Sequence, residues 1–367
     1  MIFFLTRPME KQNEGKIYTI AVTIGVLGVI TLPAMAGTNV YLPMGDAGEV
    51  LILDTYKDTT IGRISDLPAV HGLAGTPGWG FLVAGSYDER PVGETDAPPK
   101  PRGVSQKDHE VHHTKRPEKA AAPKDTVSFL SIVRIADGVI TRRIEVPGAV
   151  HHTAVVPGGR FAISTHLDLD SVSIVDIPAG KVAAVVRTGP SPNYAVVSPD
   201  GKRVYVSNAG NNTVSEIDAE HWTVQRNIPV GEEPEHLVMS SDGKALFVAN
   251  VESGSVSAIS LPEGSVMDTF KVGGELHGLD LSDDGKTLFV SGRGKDTLTA
   301  IDLSTKKTRR NTLSPAPYHL TSVPGTGKLY VSSSAEDKLW VVDQKSLSVI
   351  REVLIPGQGH QMVVMDN

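Results

Sequence analysis

A 42-residue period, four strand-like runs inside each period and a partial repeat at each end predict an all-β fold. The architecture that satisfies all three is a seven-bladed β-propeller whose ring is closed by strands from both termini. Turn glycines at Gly159, Gly201, Gly243, Gly285 and Gly327 mark the period. A repeat of this length cannot bury its own apolar face, so it must stack on its neighbours.

The repeat opening at Asn193 shows the pattern. Alternating apolar runs predict strands over 194–198, 203–207, 213–218 and 223–229. Pro199-Asp200-Gly201-Lys202, the Asn/Gly-rich 208–212 and Ala219-Glu220-His221 are the turns between them. Full repeats open near residues 71, 149, 191, 233, 275 and 317. The C-terminus adds one more first strand, 361–365, and the N-terminus adds 39–43, 49–54 and 60–64 as the other strands of that blade. Asp54, Asp176, Asp218, Asp302 and Asp343 fall at the end of third strands and support the alignment. Closing the ring removes the free sheet edges that template aggregation. Aromatic residues make up only 5% of the 367, so small and β-branched side chains must fill the core.

Two stretches stand outside the pattern. Residues 1–36 read as an export signal: Arg7, Lys11 and Lys16, an apolar run over 17–32, then the small-x-small Ala34-Met35-Ala36. The expectation is a periplasmic protein with its propeller over 37–367 and no membrane attachment after cleavage. The blade opening at His71 is nearly twice as long as the rest. Its surplus, 87–125, is rich in Pro, Lys, Glu and Asp and is predicted to be a mobile loop between second and third strands.

Composition excludes several functions. The net charge of −7 leaves no basic footprint for nucleic acid. The absence of cysteine rules out disulfides, thiolate metal sites, iron–sulfur clusters and cysteine nucleophiles. No Gly-x-Ser-x-Gly elbow occurs. Asp200, Asp242 and Asp284 belong to blade turns, as do the Gly-Lys pairs beside them. No catalytic residue is assigned, and a carrier is expected rather than an enzyme; an enzyme here would be a metal-dependent oxidoreductase.

Histidine carries the chemical signal. The first strand of a propeller blade is innermost, so the residue leading into it lies at the channel mouth. Counted from the turn glycines, that position holds His71, His151, His277, His319 and His360. His152 and His236 follow one residue later, and Asn193 supplies none. Seven of the 12 histidines therefore converge on one axis. Imidazole suits zinc and copper, and three or four convergent rings complete a site. The expected order of ligands is His151, His277, His319 and His360, then His71, then His152 and His236 as offset and turned aside. His109, His112 and His113 in the surplus loop, with His166 in the matching loop of the next blade, are read as a secondary capture set.

Tyr205-Val206-Ser207-Asn208, Phe247-Val248-Ala249-Asn250 and Tyr330-Val331-Ser332-Ser333 resemble the YVTN repeat family, as do the lead-in 230–234 and the turn 198–202. That resemblance implies the propeller. The hub histidines, with their adjacent pair His151-His152, are similar to those that hold the copper cluster of nitrous oxide reductase. They also resemble the hub of haem-d1 propellers and of propeller-type periplasmic zinc chaperones that serve ABC-type importers. These likenesses imply a zinc or copper carrier that works with a periplasmic metal-transport or metalloenzyme partner. A redox enzyme or maturation protein using a copper centre or d1-type haem is the alternative, and a cofactor-free interaction scaffold is the third reading.

Overall fold

The computed structural model describes residues 37–93 and 126–366. Short turns join consecutive strands, so each repeat folds back on itself as an antiparallel sheet. Seven such sheets form the blades, and the described residues contain no α-helix, only two single 3₁₀ turns.

Blade 1 is composite: Val363–Asp366 lies innermost, then Thr38–Met44, Glu49–Asp54 and Thr59–Ile64. Blade 2 holds Val70–Gly75, Phe81–Ser86, Thr126–Arg134 and Ile140–Pro147, and blade 3 holds Thr153–Val155, Phe161–His166, Ser171–Asp176 and Lys181–Arg187. Blade 4 runs Pro192–Val197, Arg203–Asn208, Thr213–Asp218 and Thr223–Pro229, close to the ranges the sequence predicts. Blades 5, 6 and 7 open at Pro234–Met239, Leu276–Leu281 and Pro317–Val323 and repeat the order.

The ring closes as the sequence predicts. Thr38 to Tyr41 pair with Asp366 to Val363, and the His360 amide donates to the Pro43 carbonyl at 3.1 Å. The joint between blades 7 and 1 is also ionic. Lys328 Nζ lies 2.7 Å from Asp58, and the Tyr330 hydroxyl donates to the same carboxylate at 2.7 Å.

Seven apolar clusters fill the gaps between neighbouring blades. Valine, leucine, isoleucine and alanine dominate them, with a few large anchors such as Trp340 and Tyr330. The aspartates that end third strands are Asx-turn residues: Asp218 Oδ1 accepts from the Glu220 and His221 amides, and Asp343 Oδ1 from those of Lys345 and Ser346.

The surplus segment begins later than its composition predicts. The Tyr87 amide donates to Ala69 O at 2.9 Å, and Arg90–Pro91 pairs with Thr126 and Val127, so residues 87–93 are part of the blade. Residues 94–125, with His109, His112 and His113, and the signal 1–36 lie outside the described residues.

Deleting 362–367 removes the innermost strand of blade 1 and the buried Met365 while sparing His360. The truncated protein should lose roughly 10 °C or more of Tm, or aggregate through the exposed Thr38–Met44 edge. A monomer with an unchanged melting curve would show that closure does not hold the ring.

Candidate metal centre

A bulge in the innermost strand positions the hub residues. In blade 4, Pro192 pairs with Asn208 and Ala195 with Val206, so Asn193 and Tyr194 stand opposite the single residue Ser207. The same two-against-one irregularity places Glu235-His236, His277-Gly278 and Tyr318-His319. In blade 3 both His151 N and His152 O bond Thr165. A bulge breaks the alternation of a strand and re-aims side chains. Two consecutive residues per blade therefore reach the hub.

This register corrects the frame counted from glycines. The blade 7 turn is glycine-rich, Pro324-Gly325-Thr326-Gly327, and Gly327 is one residue out of phase with Gly285. Thr321 pairs with Tyr330 as Val196 pairs with Tyr205, which puts Tyr318 in the leading position and His319 in the second. The histidines thus form two tiers. His360, His71, His151 and His277 lead blades 1, 2, 3 and 6, while His152, His236 and His319 hold the second position in blades 3, 5 and 7.

The second tier converges on one group, and a second group joins it through His152. Potential ligand atoms of His152, His236 and His319 all lie within 4.8 Å of one another, as do those of His71, His151 and His152. His152 and His236 are not turned aside; His152 belongs to both sets. None of the seven is more than 6% exposed.

Main-chain carbonyls fix the rings. Nδ1 of His71 lies 2.7 Å from His151 O, and Nδ1 of His151 and of His152 lie 3.2 and 3.0 Å from Asn193 O. A carbonyl brings no proton, so each Nδ1 carries the hydrogen and each Nε2 keeps a lone pair. Nε2 of His152 has no hydrogen-bond partner although it is buried. His277 is held differently: its Nδ1 lies 3.3 Å from Oε2 of the buried Glu235, and its ring stacks on Tyr318 at 3.8 Å. A carboxylate or carbonyl behind the far ring nitrogen is the usual support of a metal-binding histidine.

His166 lacks this arrangement. It is buried in blade 3 rather than exposed on a loop, with Nδ1 on Ala149 O at 2.8 Å and Nε2 between Ser164 and Ser173 hydroxyls at 3.1 and 2.9 Å. Both nitrogens serve the fold, so the capture role expected of it has no lone pair to work with.

Residues that sequence reasoning gave no role complete the hub. Gln361 takes the Leu73 and Thr153 amides on Oε1 and donates from Nε2 to Thr153 O and the Tyr194 hydroxyl, tying blades 1 to 4 together. Tyr194 packs between His152 and His236, each ring centroid 4.6 Å away. Gly72 admits the His152 backbone: a Cβ there would stand 2.9 Å from His152 Cα.

Burial sets the charge. It holds the His152 imidazole well below the usual histidine range, and His236, His71 and His319 push it further down. His319 is lowered in the same way, by burial first and then by His236, His277, His360 and His71. Neutral rings with outward lone pairs are the state that binds a metal. A tetrahedral ion with bonds of 2.0–2.1 Å spaces its nitrogens by about 3.4 Å. Nε2 of His277 and of His319 stand 3.5 Å apart, a spacing that a hydrogen shared between them also satisfies in the metal-free protein. Contacting histidine rings of the hub have centroids 4.2–6.0 Å apart, from the adjacent His151 and His152 to His319 and His360. The donor set fits a bare ion.

Comparison with known proteins supports the architecture. Residues 179–279 match the family described as Lactonase, 7-bladed beta-propeller. No curated protein matches the sequence. Among solved structures, hydrazine synthase of Kuenenia stuttgartiensis superposes with a TM-score of 0.64 at 16% identity, covering 88% of this chain and 99% of that one. The periplasmic gluconolactonase PpgL of Pseudomonas aeruginosa gives 0.63 at 18%, covering 89% and 98%. The Cps50 (Swd1) β-propeller domain of Myceliophteria thermophila gives 0.62 at 12%, covering 80% and 90%. The chain is a seven-bladed propeller. At such identities the likeness concerns the fold alone.

Acid should destabilise the metal-free protein. Burial lowers His166 from 6.5 to about 4, so below pH 6.5 the unfolded chain takes up a proton that the folded chain refuses. Stability from this residue is complete above pH 6.5 and lost as pH falls to about 4, a change of about 3 kcal/mol. His152 and His319 act in the same direction. Urea midpoints of metal-free protein between pH 7 and 4 should fall, and His166→Gln should flatten the fall. A flat wild-type profile would contradict the buried, neutral assignment.

Proposed function

We propose that this protein is an exported carrier that holds a zinc or copper ion on its hub histidines and passes it to a periplasmic metal-transport or metalloenzyme partner. The observation that carries this reading is the convergence of His152, His236 and His319 from blades 3, 5 and 7, with a buried Nε2 of His152 that bonds nothing in the fold. Burying a polar nitrogen without a partner costs free energy, and a fold retains such a group where a ligand compensates it. The ion is cargo. The histidines supply neutral nitrogen donors, and Glu235 places one buried carboxylate beside the positive charge that arrives.

The export signal supports a periplasmic location, in keeping with the compartment in the name of the gluconolactonase neighbour. The copper-based redox alternative rests on the same residues. Metal analysis of protein taken from its own compartment separates the two, because a colourless zinc protein cannot carry the electron.

Competitive titration with a chromophoric chelator tests the site. Wild type should bind zinc stoichiometrically, and His152→Ala should weaken binding on the order of 100-fold by removing a ligand common to both sets. His166→Ala should leave the affinity unchanged while lowering Tm. Wild-type protein that binds neither zinc nor copper would leave the interaction-scaffold reading in place.

A further inference from the structure

Two possible ligand sets meet in the hub, and they are not independent. His71, His151 and His152 form one, and His152, His236 and His319 the other. Had they used separate histidines, the hub would be a two-ion site. They share His152, whose Nδ1 is committed to the Asn193 carbonyl at 3.0 Å. A neutral imidazole so held has one lone pair, on Nε2, and one lone pair serves one ion. Bridging two ions would require stripping the Nδ1 hydrogen, and with it the bond to Asn193.

We propose, resting on the metal-binding reading above, that the hub carries a single ion with two alternative positions. One is on the blade 2 and 3 side, at His71 and His151. The other is on the blade 5 and 7 side, at His236 and His319. His152 is the pivot that stays bound while the other ligands exchange. An ion moving between the positions is never released from all its ligands at once. The exchange is a substitution of imidazole for imidazole with no change in charge or oxidation state.

The neighbours of the two positions differ, which gives the exchange two distinct ends. Tyr87 lies against His71 and His151, with ring centroids 5.6 and 6.2 Å away. His236 and His319 lie instead against His277, at 4.4 and 4.7 Å, and His277 is backed by Glu235. His71 and His236 are therefore the residues that report on one position each.

The test uses full-length protein with His109, His112 and His113 changed to alanine, so that zinc counted is zinc at the described histidines. Zinc alone is titrated against a chromophoric chelator near neutral pH. One zinc per chain is expected. His71→Ala or His236→Ala alone should still bind one zinc, with affinity falling less than about tenfold, because the other position remains. The pair together should lose far more than the product of the two single losses, at least about 100-fold in total.

Two zinc ions per chain, reduced to one by either single change, would overturn the shared pivot while leaving the metal-binding reading intact. His71→Ala without effect in the His236→Ala background would reduce the hub to one position and overturn the proposal in the same way. No zinc in the starting protein would bring down both readings together. The stoichiometry and the two single variants decide between these outcomes even if the double variant does not fold.

Discussion

Everything at the hub follows from main-chain carbonyls that no strand can satisfy. The innermost strands have a partner on one side only, and the bulge at their start takes carbonyls out of the ladder, where the preceding blade meets them. A buried carbonyl must find a donor. Side-chain hydroxyls of the second strands supply several: Thr165 bonds Asn193 O at 2.8 Å, Ser207 bonds Glu235 O, and Ser291 bonds Tyr318 O. Each bond runs from one blade to the leading residue of the next. The small hydroxyl residue in the Tyr-Val-Ser-Asn pattern is therefore a stitch between blades, and it sits opposite the bulged pair. Imidazole Nδ1 groups add to these bonds, His151 and His152 at the Asn193 carbonyl that Thr165 also reaches and His71 at the His151 carbonyl, so that each Nε2 faces away from that carbonyl. Holding the ring together and presenting lone pairs at its centre are the same set of bonds.

Burial then acts on the charge of the rings. Seven imidazoles packed within a few ångströms would repel one another if protonated, and desolvation opposes each charge separately. Both effects hold the His152 and His319 imidazoles well below the usual histidine range. Acid resistance of the donor set is thus obtained at the expense of acid resistance of the fold, since the unfolded chain protonates first.

The period, the blade count and the closure by both termini were legible in the sequence because turn chemistry and alternation are local properties. The seven hub histidines were legible too, but their division into two tiers was not. Alternation along a strand sends His151 and His152 to opposite faces, and only the pairing of both with Thr165 shows that the rule is suspended there. The displacement of His319 was hidden by a turn in which two glycines compete for one structural position. His166 looked like a loop residue because a strand end and a loop start have the same composition; the serines that surround it, Ser164 and Ser173, come from two strands and meet only in the folded sheet. The link between Glu235 and His277 crosses from one blade to the next, so no local pattern could have paired them.

Seven is an odd number, and that has a geometric consequence for the second tier. Histidines at alternate blades 3, 5 and 7 would return to blade 2 on the next step, but the ring has already come round. Alternation must fail once, and here it fails across blades 1 and 2, where Gln361 and Gly72 stand in the second position. The trio is therefore lopsided: on the side of blades 1 and 2 the second position is taken by Gln361, bonded to Leu73, Thr153 and Tyr194, and by Gly72, against the His152 backbone. That side coincides with the blade built from both chain ends, and His360 and His71 lead blades 1 and 2. Parity alone therefore gives the hub two unlike sides, one carrying the second-tier histidines and one carrying the seam where the ring closes.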